Sequence, residues 1–218
     1  MLKVNNLTFA YTKEYNTLQN ISFELPDKTT MFIYGKQESG RSSLLRILLG
    51  IEDSFKGEVL YDNMPVKKDL FFADIAVGFI PERMACIENK SVYYNLEYVL
   101  KFRKVNKSIR EVKVNNAIRE YGLEVYKDTR LRDLGKLERI KVALARLSLR
   151  DLQYILVDDI FKDLADTDLK YMVDEIKKLI KSNDAAAIIV SDNLDILKYF
   201  KFNQKFKLEY GSLENMEN

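Results

Sequence analysis

Residues 30–49 have the sequence TMFIYGKQESGRSSLLRILL, and this stretch decides the fold. It opens with a short apolar run, residues 30–34, which suits a buried strand, and it closes with leucines and isoleucines at helical spacing. Between them lie two glycines separated by four residues, and glycine permits the tight backbone turns that most residues avoid. The pattern therefore predicts a strand, a glycine-bearing loop and a helix in immediate succession.

The loop between this strand and helix fits the spacing of a phosphate-binding loop, with Arg41 where lysine is expected. Backbone N–H groups of such a loop and the positive helix end bind phosphate, while a hydroxyl at Ser42 can ligate Mg²⁺. An ordinary strand-to-helix turn would also explain two glycines, so the loop alone leaves both interpretations open. The residues that we predict to bind phosphate are Gly35, Ser39, Gly40, Arg41, Ser42 and Ser43.

The composition excludes several classes of function. The 218 residues include 35 Lys plus Arg and 33 Asp plus Glu, and the formal net charge of +2 is spread along the chain. No nucleic-acid partner is therefore expected, because such binding needs a concentrated basic surface. The sequence contains no histidine, which excludes every mechanism that uses imidazole as base, switch or metal ligand.

Cysteine content and hydropathy favour a cytoplasmic chain. Cys86 is the only cysteine, so an intramolecular disulfide cannot form. The first residues lack the apolar core of a secretory signal. The longest apolar runs, such as residues 185–190, fall short of the roughly 20 residues needed to cross a bilayer. We expect a reducing setting and no direct insertion into a membrane.

The hydrophobic pattern changes along the chain. Polar and apolar side chains alternate in residues 4–9 and 20–25, which predicts half-buried antiparallel strands. Residues 91–150 are typical of helices, with Ser91 as an N-cap. A later stripe in this region predicts one apolar helix face formed by Ile109, Val112, Ile118 and Tyr121.

Two later apolar runs predict a parallel sheet. Residues 154–157 and 186–190 have the pattern of buried strands. A helix separates them, and strand–helix–strand order is typical of parallel pairing. The apolar side chains expected on one face of this helix are Leu169, Met172, Val173, Ile176 and Ile180.

Six segments resemble, in order, the motifs of ATP-binding subunits of ABC transporters. The resemblance covers nearly the whole chain, and the order and spacing of the segments agree with that family although each segment is weak alone. The segments are Tyr11, Lys56–Leu60, Val77–Glu82, Ser91–Leu96, Val142–Arg146 and Ile155–Asp159.

This resemblance implies roles for individual side chains. Tyr11 matches the aromatic residue that stacks on adenine, and Asp158 matches the carboxylate that holds Mg²⁺. Asp159 stands at the position of the catalytic glutamate, Glu82 at that of the Q-loop glutamine, and Asp192 at that of the switch histidine. Outside the family pattern, the better interpretation of Asp158 and Asp159 is that they solvate the end of a strand. The predicted catalytic residues are Glu82, Asp159 and Asp192.

Several positions differ from the family pattern where the triphosphate and water are handled. Arg41 is bulkier than lysine, and Asp159 is one methylene shorter than glutamate. Residues 134–138, LGKLE, replace the expected LSGGQ signature and lack its serine and two glycines. These departures predict an ATPase fold that is degenerate in its catalytic motifs.

The resemblance also implies an architecture. The expected fold class is α/β, with a P-loop NTPase core of the ABC ATPase type, an N-terminal antiparallel β subdomain and an inserted helical subdomain. We predict one nucleotide-binding domain over residues 1–210, with the helical subdomain at about 84–140, and a short polar tail at 211–218.

We expect a subunit that binds ATP and Mg²⁺, with weak hydrolysis or none. The resemblance implies head-to-tail pairing as a homodimer or heterodimer with another ATPase subunit, together with a transmembrane transporter subunit at the cytoplasmic face of the cell membrane. Two alternatives stay open: an active ATPase that energises transport with tolerated substitutions, and a regulatory or scaffold protein outside transport. The transported substrate and its direction do not follow from these residues, because fold does not specify function.

Overall fold

The computed structural model describes residues 1–12, 15–66, 76–82 and 86–216. The chain divides into two compact units. The first unit comprises residues 1–79 and 152–218, and the second comprises residues 80–151. The helical segment was predicted at about 84–140, whereas the second unit begins and ends further out.

In the part of the chain that the structure describes, the N-terminal portion of the first unit forms a four-stranded antiparallel sheet. Its strands are β1 (Leu2–Phe9), β2 (Leu18–Leu25), β4 (Lys56–Tyr61) and β5 (Met64–Pro65), in the order β2-β1-β4-β5. Alternate side chains of β2 are buried and exposed over most of its length. The antiparallel strands predicted from alternating hydropathy are therefore confirmed.

A second sheet, within the described residues, has six strands in the order β10-β9-β3-β8-β7-β6. They are β3 (Thr30–Tyr34), β6 (Val77–Ile80), β7 (Tyr154–Asp158), β8 (Ala186–Ser191), β9 (Gln204–Glu209) and β10 (Ser212–Asn215). Strand β8 pairs in parallel with both β3 and β7, as the strand–helix–strand pattern predicted. The carboxyl ends of β3, β7 and β8 therefore meet at one edge of the sheet.

Helices of the first unit bury the apolar faces that their spacing predicts. Helix α1 (Arg41–Leu48) follows the glycine loop, α5 (Asp166–Asn183) connects β7 to β8, and α6 (Ile196–Tyr199) follows β8. The five apolar side chains predicted on one face of α5 are each at most 9% exposed. Each fully buried side chain of this kind contributes roughly 1.5–3 kcal/mol.

Three helices and two short 3-10 turns make up most of the described residues of the second unit. The helices are α2 (Val92–Phe102), α3 (Lys107–Glu120) and α4 (Lys136–Ser148), and the turns are Glu124–Tyr126 and Leu131–Asp133. Ser91 caps α2 as predicted, because its side chain accepts a hydrogen bond of 3.2 Å from the Tyr94 backbone N–H.

The apolar stripe predicted for α3 is wrong in part. Ile118 and Tyr121 are buried, but Ile109 is 50% exposed and Val112 is 61% exposed. At 3.6 residues per turn, Ile109 lies about two and a half turns before Ile118 and so points to the opposite side of the helix. Val114 and Ala117 lie beside Ile118 and complete the buried face instead.

The segment predicted as a short polar tail, residues 211–218, contains a strand. Residues 212–215 form β10, which pairs with β9 in antiparallel register. Among the described residues, no helix is both long and apolar enough to cross a membrane.

Candidate functional site

The glycine loop joins the carboxyl end of β3 to the first turn of α1. Gly40 precedes the helix with φ 97° and ψ 0°, a conformation that glycine adopts without the steric cost of a Cβ atom. A Cβ atom on Gly40 would lie 2.7 Å from the Thr17 carbonyl oxygen. Gly35 donates its backbone N–H to the Ser191 carbonyl oxygen at 3.2 Å, which fastens the loop to the end of β8. The glycine loop therefore ends at the N-terminus of α1, where free backbone N–H groups can bind an anion.

Arg41 turns its guanidinium back into this loop. Its side chain is only 9% exposed, and Nη1 donates to the Gly35 carbonyl oxygen at 2.7 Å. Nη2 forms an ion pair of 2.5 Å with Oδ2 of Asp159. The residue that replaces the expected lysine is therefore held by a carbonyl and a carboxylate from two different parts of the site.

Asp159 follows β7 in a left-handed backbone conformation, with φ 44°. Aspartate tolerates that region better than most residues, because its short polar side chain can form local hydrogen bonds. Its backbone N–H donates to the Val190 carbonyl oxygen at 2.8 Å, and its side chain is 1% exposed. Oδ1 accepts from the Ser191 hydroxyl at 2.8 Å and from the Asp192 backbone N–H at 3.4 Å. The carboxylate is thus buried, oriented and hydrogen-bonded through both oxygens.

Ser42 and Asp158 form the candidate magnesium site. The Ser42 hydroxyl donates to Oδ2 of Asp158 at 3.1 Å, and Asp158 is 7% exposed. Among the described residues, no group of three or more His, Cys, Asp or Glu side chains could hold a metal ion. Mg²⁺ needs no such cage, because it retains waters and is bound by one or two protein oxygens together with substrate phosphates. The hydroxyl and carboxylate present here fit that pattern.

Tyr11 lies next to the loop through its hydroxyl group. The Tyr11 and Ser43 side-chain oxygens are 3.2 Å apart, which is a hydrogen bond. The Tyr11 ring packs edge-on against Phe9 with ring centroids 4.7 Å apart, and the side chain remains 59% exposed. An exposed aromatic face beside the loop is suited to stacking with a flat ring.

Ser39 contributes a buried hydroxyl on the same loop. Its Oγ is buried and has no hydrogen-bond partner within the described residues. A Cβ atom on Gly35 would lie 2.5 Å from this oxygen. A buried hydroxyl without a partner is unfavourable, so this group fits a loop that receives a hydrogen-bonding ligand.

The structure gathers most predicted site residues in the first unit. Asp192 also lies there, with Oδ2 4.0 Å from Nη1 of Arg41. Glu82 is different: it is exposed and belongs to the second unit, as does the segment at 134–138. Ser191 hydrogen-bonds to Asp159 and to the loop, but the sequence did not predict it as a site residue. A serine at the end of an apolar strand has no motif that indicates such a role.

A buried parallel sheet, a left-handed glycine before a helix and a carboxylate pair at the same sheet edge define a P-loop protein. The model of the ABC transporter family matches residues 18–162 of the chain. The chain therefore belongs to the ABC transporter family.

Individual relatives and solved structures agree with this assignment. The chain is 31% identical over 163 residues to the sn-glycerol-3-phosphate import ATP-binding protein UgpC of Bordetella avium, covering 75% of this chain and 45% of that protein. It is 25% identical over 229 residues to the putative ABC transporter ATP-binding protein TTE0246 of Caldanaerobacter subterraneus subsp. tengcongensis, covering 100% and 94%. The chain spans about half the length of several curated relatives, from 44% to 59%.

The fold is that of an ATP-binding cassette. The dimeric structure of the ATP-binding cassette MJ0796 bound to ADP and Pi superposes with a TM-score of 0.86, at 20% identity and with 100% of both chains covered. The predicted fold class, an ABC ATPase core with an antiparallel β subdomain and a helical region, is confirmed.

Proposed function

We propose that the chain is the ATP-binding subunit that energises an ABC transporter, binding ATP with Mg²⁺ at residues 35–43 and Asp158. The observation that carries this proposal is the loop geometry: Gly40 is left-handed, and Ser42 and Asp158 are hydrogen-bonded at 3.1 Å. Together they provide backbone donors for phosphate and hard oxygen ligands for the metal.

The names of the relatives support a role in transport. UgpC is named as an import ATP-binding protein, as is the spermidine/putrescine import protein PotA of Mycoplasma capricolum. These names favour the active ATPase over the weakly hydrolysing subunit that the motif departures alone suggested. The departures at Arg41 and Asp159 are then substitutions that the site tolerates.

The residues of the site divide the chemistry among them. The loop amides and Arg41 would hold the phosphates, and Ser42 with Asp158 would hold the metal. Bound Mg²⁺ supplies positive charge that neutralises phosphate oxygens. Asp159 is the carboxylate that can accept a proton from an attacking water. Glu82 and Asp192 remain proposed contributors at the positions of the family's glutamine and histidine.

A second candidate function is a subunit that binds ATP without efficient turnover. The observation that favours it is the ion pair of 2.5 Å between Arg41 and Asp159, which engages the proposed base. Such a subunit would act mainly by docking and dimerisation.

The proposed partners are a second ATP-binding subunit, identical or different, and a transmembrane subunit. The dimeric form of the MJ0796 cassette supports pairing. A peripheral position on the cytoplasmic face of the membrane would follow from docking on the transmembrane subunit.

Steady-state ATP turnover tests the proposed function. We expect Mg²⁺-dependent turnover by the purified chain, or by its complex with a transmembrane transporter subunit, and a decrease on the order of 100-fold in Asp159→Asn. Asp184→Asn is the matched control. The backbone of Asp184 is also left-handed, with φ 51°, but its side chain is exposed and takes part in an exposed ion pair.

Three outcomes of the turnover assay, combined with calorimetric titration with ATP, separate the alternatives. Turnover lost with Asp159→Asn but kept with Asp184→Asn supports the energising subunit. Saturable ATP binding by calorimetry without turnover in any complex supports the second candidate. Absence of ATP binding would contradict both and leave a scaffold protein.

Tyr11→Ala is expected to weaken ATP binding about tenfold, because stacking of a base on an aromatic side chain contributes roughly 1–3 kcal/mol. Tyr11→Phe keeps the ring but loses the bond to Ser43, so its affinity should stay within about threefold of wild type. Calorimetric titration with ATP measures both, and Tyr210→Ala, which removes a tyrosine that is 80% exposed, is the control. Equal affinity of wild type and Tyr11→Ala would contradict the stacking role.

A further inference from the structure

The ion pair between Arg41 and Asp159 is buried at the centre of the phosphate loop. Taken as whole residues, Arg41 is 8% exposed and Asp159 is 1% exposed. A buried charge that loses its partner is strongly unfavourable, so each of these side chains depends on the other. The pair therefore strongly favours the arrangement in which the guanidinium faces the carboxylate.

Further hydrogen bonds hold both partners in position. The Gly35 carbonyl oxygen fixes Nη1 of Arg41 at 2.7 Å, and the Ser191 hydroxyl fixes Oδ1 of Asp159 at 2.8 Å. Strand β8 contributes Ser191, which also accepts the Gly35 backbone N–H through its carbonyl oxygen. Carboxylate, guanidinium and loop backbone are thus connected in one network.

The same guanidinium is the loop's candidate phosphate ligand. An arginine side chain binds carboxylate and phosphate with the same forked geometry and the same N–H donors. A phosphate entering the loop and the Asp159 carboxylate would therefore compete for Arg41. Two anions close together also repel each other, which adds to the competition.

We propose that the Arg41–Asp159 ion pair is a latch that a polyphosphate opens. Binding of phosphate transfers Arg41 from the carboxylate to the phosphate oxygens and releases Asp159 to act on water. The inference rests on the proposed function, because it concerns the same nucleotide site. It gives the arginine substitution a role: the proposed base stays occupied until a phosphate reaches the loop.

The latch has a thermodynamic consequence that can be measured. Part of the binding free energy of ATP is used to break the ion pair, so removing the carboxylate should tighten binding. We expect Asp159→Asn to bind ATP on the order of tenfold more tightly than wild type while it loses turnover. A residue that serves only as a base would show the loss of turnover without the gain in affinity.

The variant Asp192→Asn distinguishes the latch from simple charge repulsion between a carboxylate and the bound phosphate. Its carboxylate carries the same charge in the same site, but its Oδ2 lies 4.0 Å from Arg41 and its side chain is 33% exposed. Asp192→Asn therefore removes one negative charge without breaking the short ion pair. We expect Asp192→Asn to tighten ATP binding less than Asp159→Asn does, because its carboxylate is farther from the guanidinium and more exposed to water.

The experiment is calorimetric titration of wild type, Asp159→Asn, Asp192→Asn and Ser191→Ala with ATP and Mg²⁺. Ser191→Ala deletes one oxygen that holds Asp159, and it provides a mild variant in case Asp159→Asn fails to fold. We expect it to tighten ATP binding about threefold, because it weakens the latch without removing a charge.

The outcomes distinguish this inference from the proposed function. Tighter binding by Asp159→Asn and Ser191→Ala, with a clearly smaller gain in Asp192→Asn, supports the latch. Unchanged or weaker binding by the first two variants overturns the latch and leaves the proposed function intact, as does equal tightening by both aspartate variants. Absence of ATP binding in wild type and in every variant overturns the latch and the proposed function together.

Discussion

Gly40→Ala is expected to lower the affinity for ATP on the order of 100-fold, which corresponds to about 2.8 kcal/mol. Gly40 has φ 97°, a conformation that costs other residues about 1–3 kcal/mol. The added Cβ would also lie 2.7 Å from the Thr17 carbonyl oxygen and 2.8 Å from a methyl carbon of Leu18. Because one obstacle is the backbone of Thr17, the residue before β2, the loop itself must shift.

The shift matters because the loop binds through its backbone. Arg41 and Ser42 follow Gly40 directly, so a displaced glycine moves the first amides of α1 and the hydroxyl that pairs with Asp158. Calorimetry with ATP and Mg²⁺ measures the loss, and circular dichroism checks that the fold persists.

Gly122→Ala is the matched control for this prediction. Gly122 also has a positive φ, 61°, but nothing lies within 4 Å of the position that its Cβ would take. Alanine at position 122 therefore has the backbone strain of a positive φ but collides with no neighbouring atom. Gly122 also lies in the second unit, whereas the glycine loop lies in the first. If Gly122→Ala and Gly40→Ala weakened ATP binding equally, loop geometry would not be the cause.

The strand, loop and helix around residue 40 could be predicted because their signals are local. Glycine spacing gives the turn, and short apolar runs give the buried strands β3, β7 and β8. The antiparallel strands followed from alternation of polar and apolar side chains for the same reason. Where a local pattern of residues favours one type of secondary structure, a single sequence is enough to predict that element.

The network that holds the site could not be predicted from local signals. Nothing in the sequence indicated that Arg41 and Asp159, 118 positions apart, form an ion pair, or that Ser191 supports the carboxylate. Such contacts depend on the order of strands in the sheet, with β8 between β3 and β7. The error at Ile109 has a simpler origin, since its spacing from Ile118 does not match one helix face.

Arg41→Met is expected to lower the free energy of unfolding by about 3–5 kcal/mol, the usual cost of leaving one partner of a buried ion pair alone. The Asp159 carboxylate, at 1% exposure, would lose its cationic partner, and the hydrogen bonds from Ser191 and from the Asp192 backbone would not replace a guanidinium. Urea denaturation followed by circular dichroism measures the change. Lys28→Met is the control: its ion pair with Asp184 is largely exposed, so no measurable change is expected.

Combining Arg41→Met with Asp159→Asn should restore more than half of the lost stability, because no uncompensated charge then remains buried. Asparagine is the replacement of choice at φ 44°, since it tolerates the left-handed region that a branched apolar residue would not. Recovery in the double variant, with a large loss in each single variant, would show that the two charges stabilise the fold only as a pair. Additive losses would mean that Arg41 acts through its packing and its bond to the Gly35 carbonyl oxygen, and the ion pair would then be too weak to compete with phosphate.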